Sequence, residues 1–90
     1  MVKAVITVIG QDKVGIIAGI SNILAERNVN ILDISQTTMQ DVFTMMMMTD
    51  ISQLNTSFAE LSEKLENKGK ELDLSIRLQH VDIFNSMHRI

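Results

Sequence analysis

Residues 30–51 read NILDISQTTMQDVFTMMMMTDI, and the way this stretch folds back on itself decides the architecture. Residues 30–40 carry β-branched side chains and show no helical stripe, which predicts a strand. It is a polar strand, with Asp33, Ser35, Gln36, Thr37, Thr38 and Gln40, and such a strand suits a sheet edge better than its centre. Residues 42–51 predict the next strand, with Phe43, Met45 and Met47 on one face and Thr44, Met46, Met48 and Asp50 on the other. Only Gln40-Asp41 separates the two runs. A connection that short makes an antiparallel hairpin. The run Met45 to Met48 does not read as a soft-metal cluster, because successive strand residues point to opposite faces and four in a row cannot converge on one ion. Packing is the simpler use, with Met46 and Met48 left for an adaptable interface.

Each strand of the hairpin is flanked by a helical pattern. Upstream, residues 2–9 alternate: Ala4, Ile6 and Val8 point one way, and Lys3, Val5, Thr7 and Ile9 the other. Gly10 is expected to end this strand. From 16 to 27 the period becomes helical, with Ile16, Ile17, Ile20, Ile23 and Leu24 on one stripe. Gly19 inside it suggests close packing on a sheet, and Asn28 suits a left-handed stop. Downstream, residues 54–68 repeat the helical period through Leu54, Phe58, Leu61 and Leu65. Glu60 and Lys64 stand in the favourable i,i+4 order, and Gly69 is expected to cap the helix. In residues 72–79, Leu72, Leu74, Ile76 and Leu78 face in while Asp73, Ser75, Arg77 and Gln79 face out. The last stretch, HVDIFNSMHRI over 80–90, predicts a short helix with Ile83, Phe84, Met87 and Ile90 on one side.

The order is therefore β-α-β-β-α-β plus a C-terminal helix. With right-handed crossovers this is the split βαβ, or ferredoxin-like, α+β sandwich. Its expected antiparallel sheet order is 4-1-3-2, with two helices on one face. The other face would carry Val5, Ile9, Met46 and Met48, too apolar to be left fully wet without a reason. The expected organisation is one domain over 1–90, with 1–79 as its core and 80–90 as the added helix.

Composition narrows the function classes. Ninety residues with 46% hydrophobic content can build one core. Cysteine is absent, which removes disulfides, thiolate metal sites and cysteine nucleophiles. The aromatics are three Phe and the net charge is −3. There is no basic excess to release counterions and little ring surface for bases to stack on, so nucleic acid is not an expected partner. No apolar run approaches the ~20 residues that cross a bilayer, and no membrane partner is expected. The opening MVKAVITVIG does not read as an export signal, so the expected address is the cytoplasm.

The most informative local signal is Gly10-Gln11-Asp12-Lys13-Val14-Gly15-Ile16, followed by Ala18, Ser21, Leu24 and Ala25, then Val29-Asn30-Ile31. This combination, in this element order, resembles the ACT-domain family of small-molecule-sensing regulatory modules. The pattern is a strand, a Gly-x-Asp-x-x-Gly loop, an apolar helix and an Asn-Ile at the head of the second strand. The likeness spans residues 1 to about 79. It is nearest to short free-standing ACT proteins, with a more distant likeness to the ACT segments of glycine-cleavage regulators and formyltetrahydrofolate deformylases. Many family members have Pro before the second loop Gly, where this chain has Val14, which leaves the loop less pre-set.

The resemblance implies an amino-acid-binding, homodimeric module without catalysis of its own, which acts on a regulated enzyme. The polar edge strand would pair with its copy into an eight-stranded sheet. A face-to-face dimer burying Met46 and Met48 is the competing geometry. The implied site is Gln11, Asp12, Lys13, Val14, Gly15 and Ile16 of one copy with Asn30 and Ile31 of the other. Bare amides at the start of a helix suit a carboxylate, and Asp12 suits an α-amino group. The alternative for the same residues is structural. Gly10 and Gly15 would make a tight turn, Asp12 would cap the helix, and Asn30 would bond its own backbone. The alternative for the whole chain is an interaction subunit without ligand.

No cofactor is expected. A heavy-metal-binding version of the fold needs a Cys pair in the first loop, and an acylphosphatase-like one needs a loop Arg; neither is present. An RNA-binding version needs aromatics on the central strands, where the first strand has none and the Met-rich strand has only Phe43, on the face assigned to the core. Ser21, Ser35 and Thr37 have no base nearby in sequence. His80 and His88 would lie ~12 Å apart along a helix, too far to share an ion.

Overall fold

The computed structural model describes residues 1–11 and 14–82. The elements are β1 (Lys3–Gln11), α1 (Ile16–Glu26), β2 (Asn30–Met39), β3 (Val42–Asp50), α2 (Phe58–Leu72) and β4 (Leu74–His80). All pairings are antiparallel, and the sheet order is β2-β3-β1-β4. This is the expected ferredoxin-like arrangement. Both helices lie on one face, with α2 packed on β4 and against α1.

The period-2 pattern sorts the strands as their sequences foretell. Ala4, Ile6 and Val8 of β1 face the helices and are fully buried, as are Met45 and Met47 of β3. Phe43 joins them, with Leu74, Ile76 and Leu78 from β4 and Ile16, Ile20, Ile23, Leu24, Leu61 and Leu65 from the helices. The one buried polar side chain among the described residues, Thr49, donates its hydroxyl to the Ala4 carbonyl at 2.8 Å, so its burial leaves no bond unmade. The hairpin closes with Met39 opposite Val42, and Gln40 takes φ 55° to make the two-residue turn. A β-bulge between Ile31 and Asp33 bends β2, as befits an edge strand guarded against indiscriminate pairing.

Several local expectations are corrected. β1 does not end at Gly10 but runs on to Gln11, because Gly10 still pairs with Phe43 on one side and Leu74 on the other. The second helix starts at Phe58 rather than 54. Residues 51–57 instead tie down the end of α1. The Asn55 amide donates to the Arg27 carbonyl at 3.2 Å, and its side chain donates to the Glu26 carbonyl at 3.1 Å, which satisfies carbonyls that a helix end leaves open. Ser57 is the N-cap and accepts from the Glu60 amide at 3.1 Å. The Ser57-x-x-Glu60 spacing is a capping-box signature that marks this start in the sequence. The Glu60 carboxylate takes the Thr56 hydroxyl, and no Glu60–Lys64 ion pair forms among the described residues. Replacing Ser57 with Ala is expected to cost about 1 kcal/mol, read as a lowered urea midpoint.

At its other end α2 runs through Gly69 to Leu72, and the left-handed residue is Asp73, φ 58°. Gly69 is therefore not a cap, and β4 begins at Leu74 rather than 72. Gly19 opposes Lys68 of α2, not the sheet. Asn28 does adopt the left-handed conformation, φ 58°. The helix expected over 80–90 lies, from residue 83 onward, outside the described residues, and His80 itself closes β4.

The ends of β1 and β3 are tied by a small polar network. Ser52 donates its hydroxyl and its amide to Asp50 Oδ1, at 2.6 and 2.9 Å, and accepts from the Val2 amide at 2.8 Å. The hydroxyl bond and then the amide bond hold the Asp50 carboxyl below its ordinary value of 3.8. A carboxylate lowered in the folded state stabilises the fold above the unfolded value, and that contribution is lost as pH falls through the folded one. Asp50→Asn is therefore expected to lower Tm at neutral pH, with the gap to wild type closing as the pH drops below 3.8. Thermal melts of the two proteins across the acid range check this.

Candidate functional site

The first crossover builds the corner that the sequence singles out. Gln11 ends β1, exposed, opposite Val42. Asp12 and Lys13 fall outside the described residues. Val14 is fully exposed, and Gly15 is the N-cap of α1 at φ 90°, a conformation that L side chains rarely adopt. Having no side chain, Gly15 caps nothing, and the first turn of α1 carries no acidic residue. Among the described residues no side chain accepts from the amides of Ile16, Ile17 or Ala18, which stand at the positive end of the helix dipole. The Ile16 side chain is buried in the core, so only its backbone is available at the corner.

These amides border a cleft of about 300 Å³ lined by Gly15, Ile16, Ile17, Ala18, Gln36, Thr38 and Phe43. Gln36 and Thr38 are the additions that sequence reading missed. They lie on the helix side of β2, opposite Met45 and Phe43. The signal was present: two polar residues alternate on the strand face that should turn toward the core. α1 stands beside this edge strand without covering it, which leaves that part of its inner face open to a cleft.

Asn30 and Ile31 stand elsewhere. Asn30 is the first residue of β2 and pairs with Asp50, whose other neighbour is Lys3. That is the opposite end of the sheet from Gln11, which lies in the row of Val42 and Met39. Nine residues of strand separate Asn30 from Met39, roughly 30 Å. One chain therefore does not bring Asn30 to the corner, and Ile31 is half-buried against the core.

Of the residues weighed for metal, His80 stacks on Phe58 at 4.2 Å between ring centroids, 11° from coplanar. Among the described residues no three His, Asp, Glu or Cys side chains come together as a metal site. No helix among them is long and apolar enough to cross a membrane.

Fold and corner together define a ferredoxin-like α+β domain whose first strand–helix junction opens toward a bare sheet edge. The sequence pattern of the ACT domain matches residues 3–79, and the chain belongs to the ACT domain family. A UPF0237 protein of Clostridium acetobutylicum is 60% identical over 98% of this chain and 99% of its own. Among solved structures, an ACT domain protein from Streptococcus pneumoniae is 43% identical, with a TM-score of 0.79 over 92% of this chain and 93% of that one. The regulatory subunit of aspartate kinase from Thermus thermophilus, in its ligand-free form, is 28% identical with a TM-score of 0.65 over 87% of this chain and 50% of its own. A formyltetrahydrofolate deformylase from Pseudomonas syringae shares the fold, at 23% identity and a TM-score of 0.81, over 89% of this chain and 28% of that enzyme. ACT domains are a family of regulatory, ligand-binding modules.

Proposed function

We propose that this protein is a homodimeric amino-acid sensor, acting without chemistry of its own, whose two sites are each shared between copies. The observation that carries the reading is the start of α1 at Ile16–Ala18, where no side chain among the described residues caps the amides, bordering the cleft beside Gln36 and Thr38. These amides would receive the α-carboxylate. Asp12 would take the α-amino group.

The distance between the corner and Asn30 supports a dimer rather than counting against the site. β2 is an edge strand with one side unpaired. Antiparallel pairing of β2 with its copy, centred on the middle of the strand, sets Asn30 of one copy opposite Met39 of the other. A second copy would thus supply at the corner the amide that the chain's own fold carries away from it. The two-fold axis would produce two equivalent sites, and a ligand bound across the seam would tighten the dimer by linkage. An enzyme or regulator would read the change in the joined surface.

Titration with glycine, serine and the branched amino acids tests this. At a ligand concentration a hundred times Kd, the stabilisation is about 2.7 kcal/mol, seen as a clear rise in Tm. Asn30→Ala and Asp12→Ala are each expected to reduce that rise. Should every amino acid leave Tm unchanged in a protein shown to be dimeric, the interaction subunit without ligand takes its place.

A further inference from the structure

The sheet face away from the helices carries Val5, Thr7 and Ile9 from β1, with Val42, Thr44, Met46 and Met48 from β3. Ile9, Val42 and Met46 are 52%, 50% and 40% exposed, more apolar surface than a single copy would leave to water without use. The charges on this face are sorted by strand. Lys3 of β1 and Arg77 of β4 hold one half, and Asp33 of β2 and Asp50 of β3 hold the other. No other charged residue of the four strands points this way. The order β2-β3-β1-β4 puts the boundary between the halves on the midline of the sheet.

That distribution selects one way for two copies to stack. We propose that a second copy of this chain covers the open face, related by a two-fold axis that runs along the strands on the midline. This operation lays β1 on the partner copy's β3, and β4 on its β2. Lys3 then faces Asp50 of the other copy. Arg77, in the row of Thr7, Met46 and Ser35, faces Ser35 of the other copy, one row from Asp33 and within reach of a guanidinium. Thr7 meets Met46, whereas Val5, already buried within one chain, lies beneath the contact. The alternative two-fold, across the strands, lays β4 on β4 and β2 on β2, so it sets neither Lys3 on Asp50 nor Arg77 beside Asp33 and forfeits the charge complementarity.

The size suffices. Four strands spaced about 4.8 Å, each about 26 Å long, present roughly 500 Å² per copy, or about 1,000 Å² in all, the lower bound of a specific interface. Aligned packing of two sheets is an ordinary arrangement, and methionine side chains adapt to such a contact. This interface is separate from the β2 edge and does not rest on ligand binding. With edge pairing as well, it would build a tetramer.

Arg77 and Asp33 lie on opposite edge strands of one chain, so compensation between them can arise only between copies. In sedimentation velocity at low salt, Arg77→Glu and Asp33→Arg are each expected to weaken self-association at least tenfold. An equimolar mixture of the two variants should associate again, because both cross-copy pairs are then opposite in charge. Met46→Glu, at the centre of the face, should also dissociate the copies while circular dichroism shows the fold kept. A dimer formed through β2 survives Arg77→Glu, since Arg77 stands on the far edge, so failure here leaves the sensor reading intact. The proposal is overturned if neither charge variant weakens association, if their mixture associates no better than each alone, or if wild type is monomeric at high micromolar concentration.

Discussion

Gly69→Ala is expected to destabilise the protein by about 1–3 kcal/mol, although alanine is by itself the better helix former. Gly69 sits inside α2 where the helix lies on β4. A Cβ there would stand 2.7 Å from the Leu74 carbonyl oxygen and 3.3 Å from Cγ1 of Ile76. The first contact is with backbone that is held in the sheet, so the helix must lift and loosen Leu61 and Leu65, both fully buried. The intrinsic helix gain of about 1 kcal/mol only partly offsets this. Gly19 is the natural control. Its Cβ would meet the flexible end of Lys68 at 2.8 Å, which can swing away, so Gly19→Ala should be neutral or stabilising by up to about 1 kcal/mol. Urea midpoints of the two variants against wild type make the comparison. Equal stability of Gly69→Ala and wild type would mean that α2 is not seated on β4 as described.

The second large effect is an alternation within four identical residues. Met45→Ala and Met47→Ala should each cost about 2–4 kcal/mol, because both side chains are fully buried and their removal leaves a cavity. Met46→Ala, on the open face and 40% exposed, should cost under about 1 kcal/mol in the monomer. For ninety residues the total stability is roughly 5–13 kcal/mol, so either core substitution removes a large share of it. Measured in urea at a protein concentration low enough to keep copies apart, the order 45, 47 ≫ 46 reports the strand register directly. A one-residue slip of β3 would reverse it, and equal costs at 45 and 46 would rule the register out.

The same alternation explains why the fold was so legible. Met45 and Met46 are chemically identical, yet their neighbours fix which one faces in: Phe43 and Thr49 share the helix side, and Thr44 and Asp50 share the open side. Helix starts were less legible, because Leu54 packs against the core while standing in the loop before α2. An apolar residue in phase with a helix is not itself proof of helix. Ser57 and Glu60 carried the better signal. Gly69 misled for a related reason. Glycine near the end of a helix suits both a cap and a close crossing, and which use applies depends on what lies opposite.

For the candidate site, local pattern identified Gly15 as the residue before α1, since a glycine before an apolar helical stripe is a short-range feature. It missed Gln36 and Thr38, which reach that corner only because β2 occupies the edge beside α1.

The order of elements and the inward and outward faces of the strands were set by residues near one another in the chain, where periodicity and turn chemistry act. Three matters were left to the assembled sheet: that Gly69 is a contact, that Asn30 lies a full strand length from the loop of its own chain, and that positive and negative charges divide the open face in half. Each depends on the register in which the strands pair and on how closely a helix seats on them. Both follow from burial of the whole core against two helices, a property of the three-dimensional packing that no local window of sequence contains.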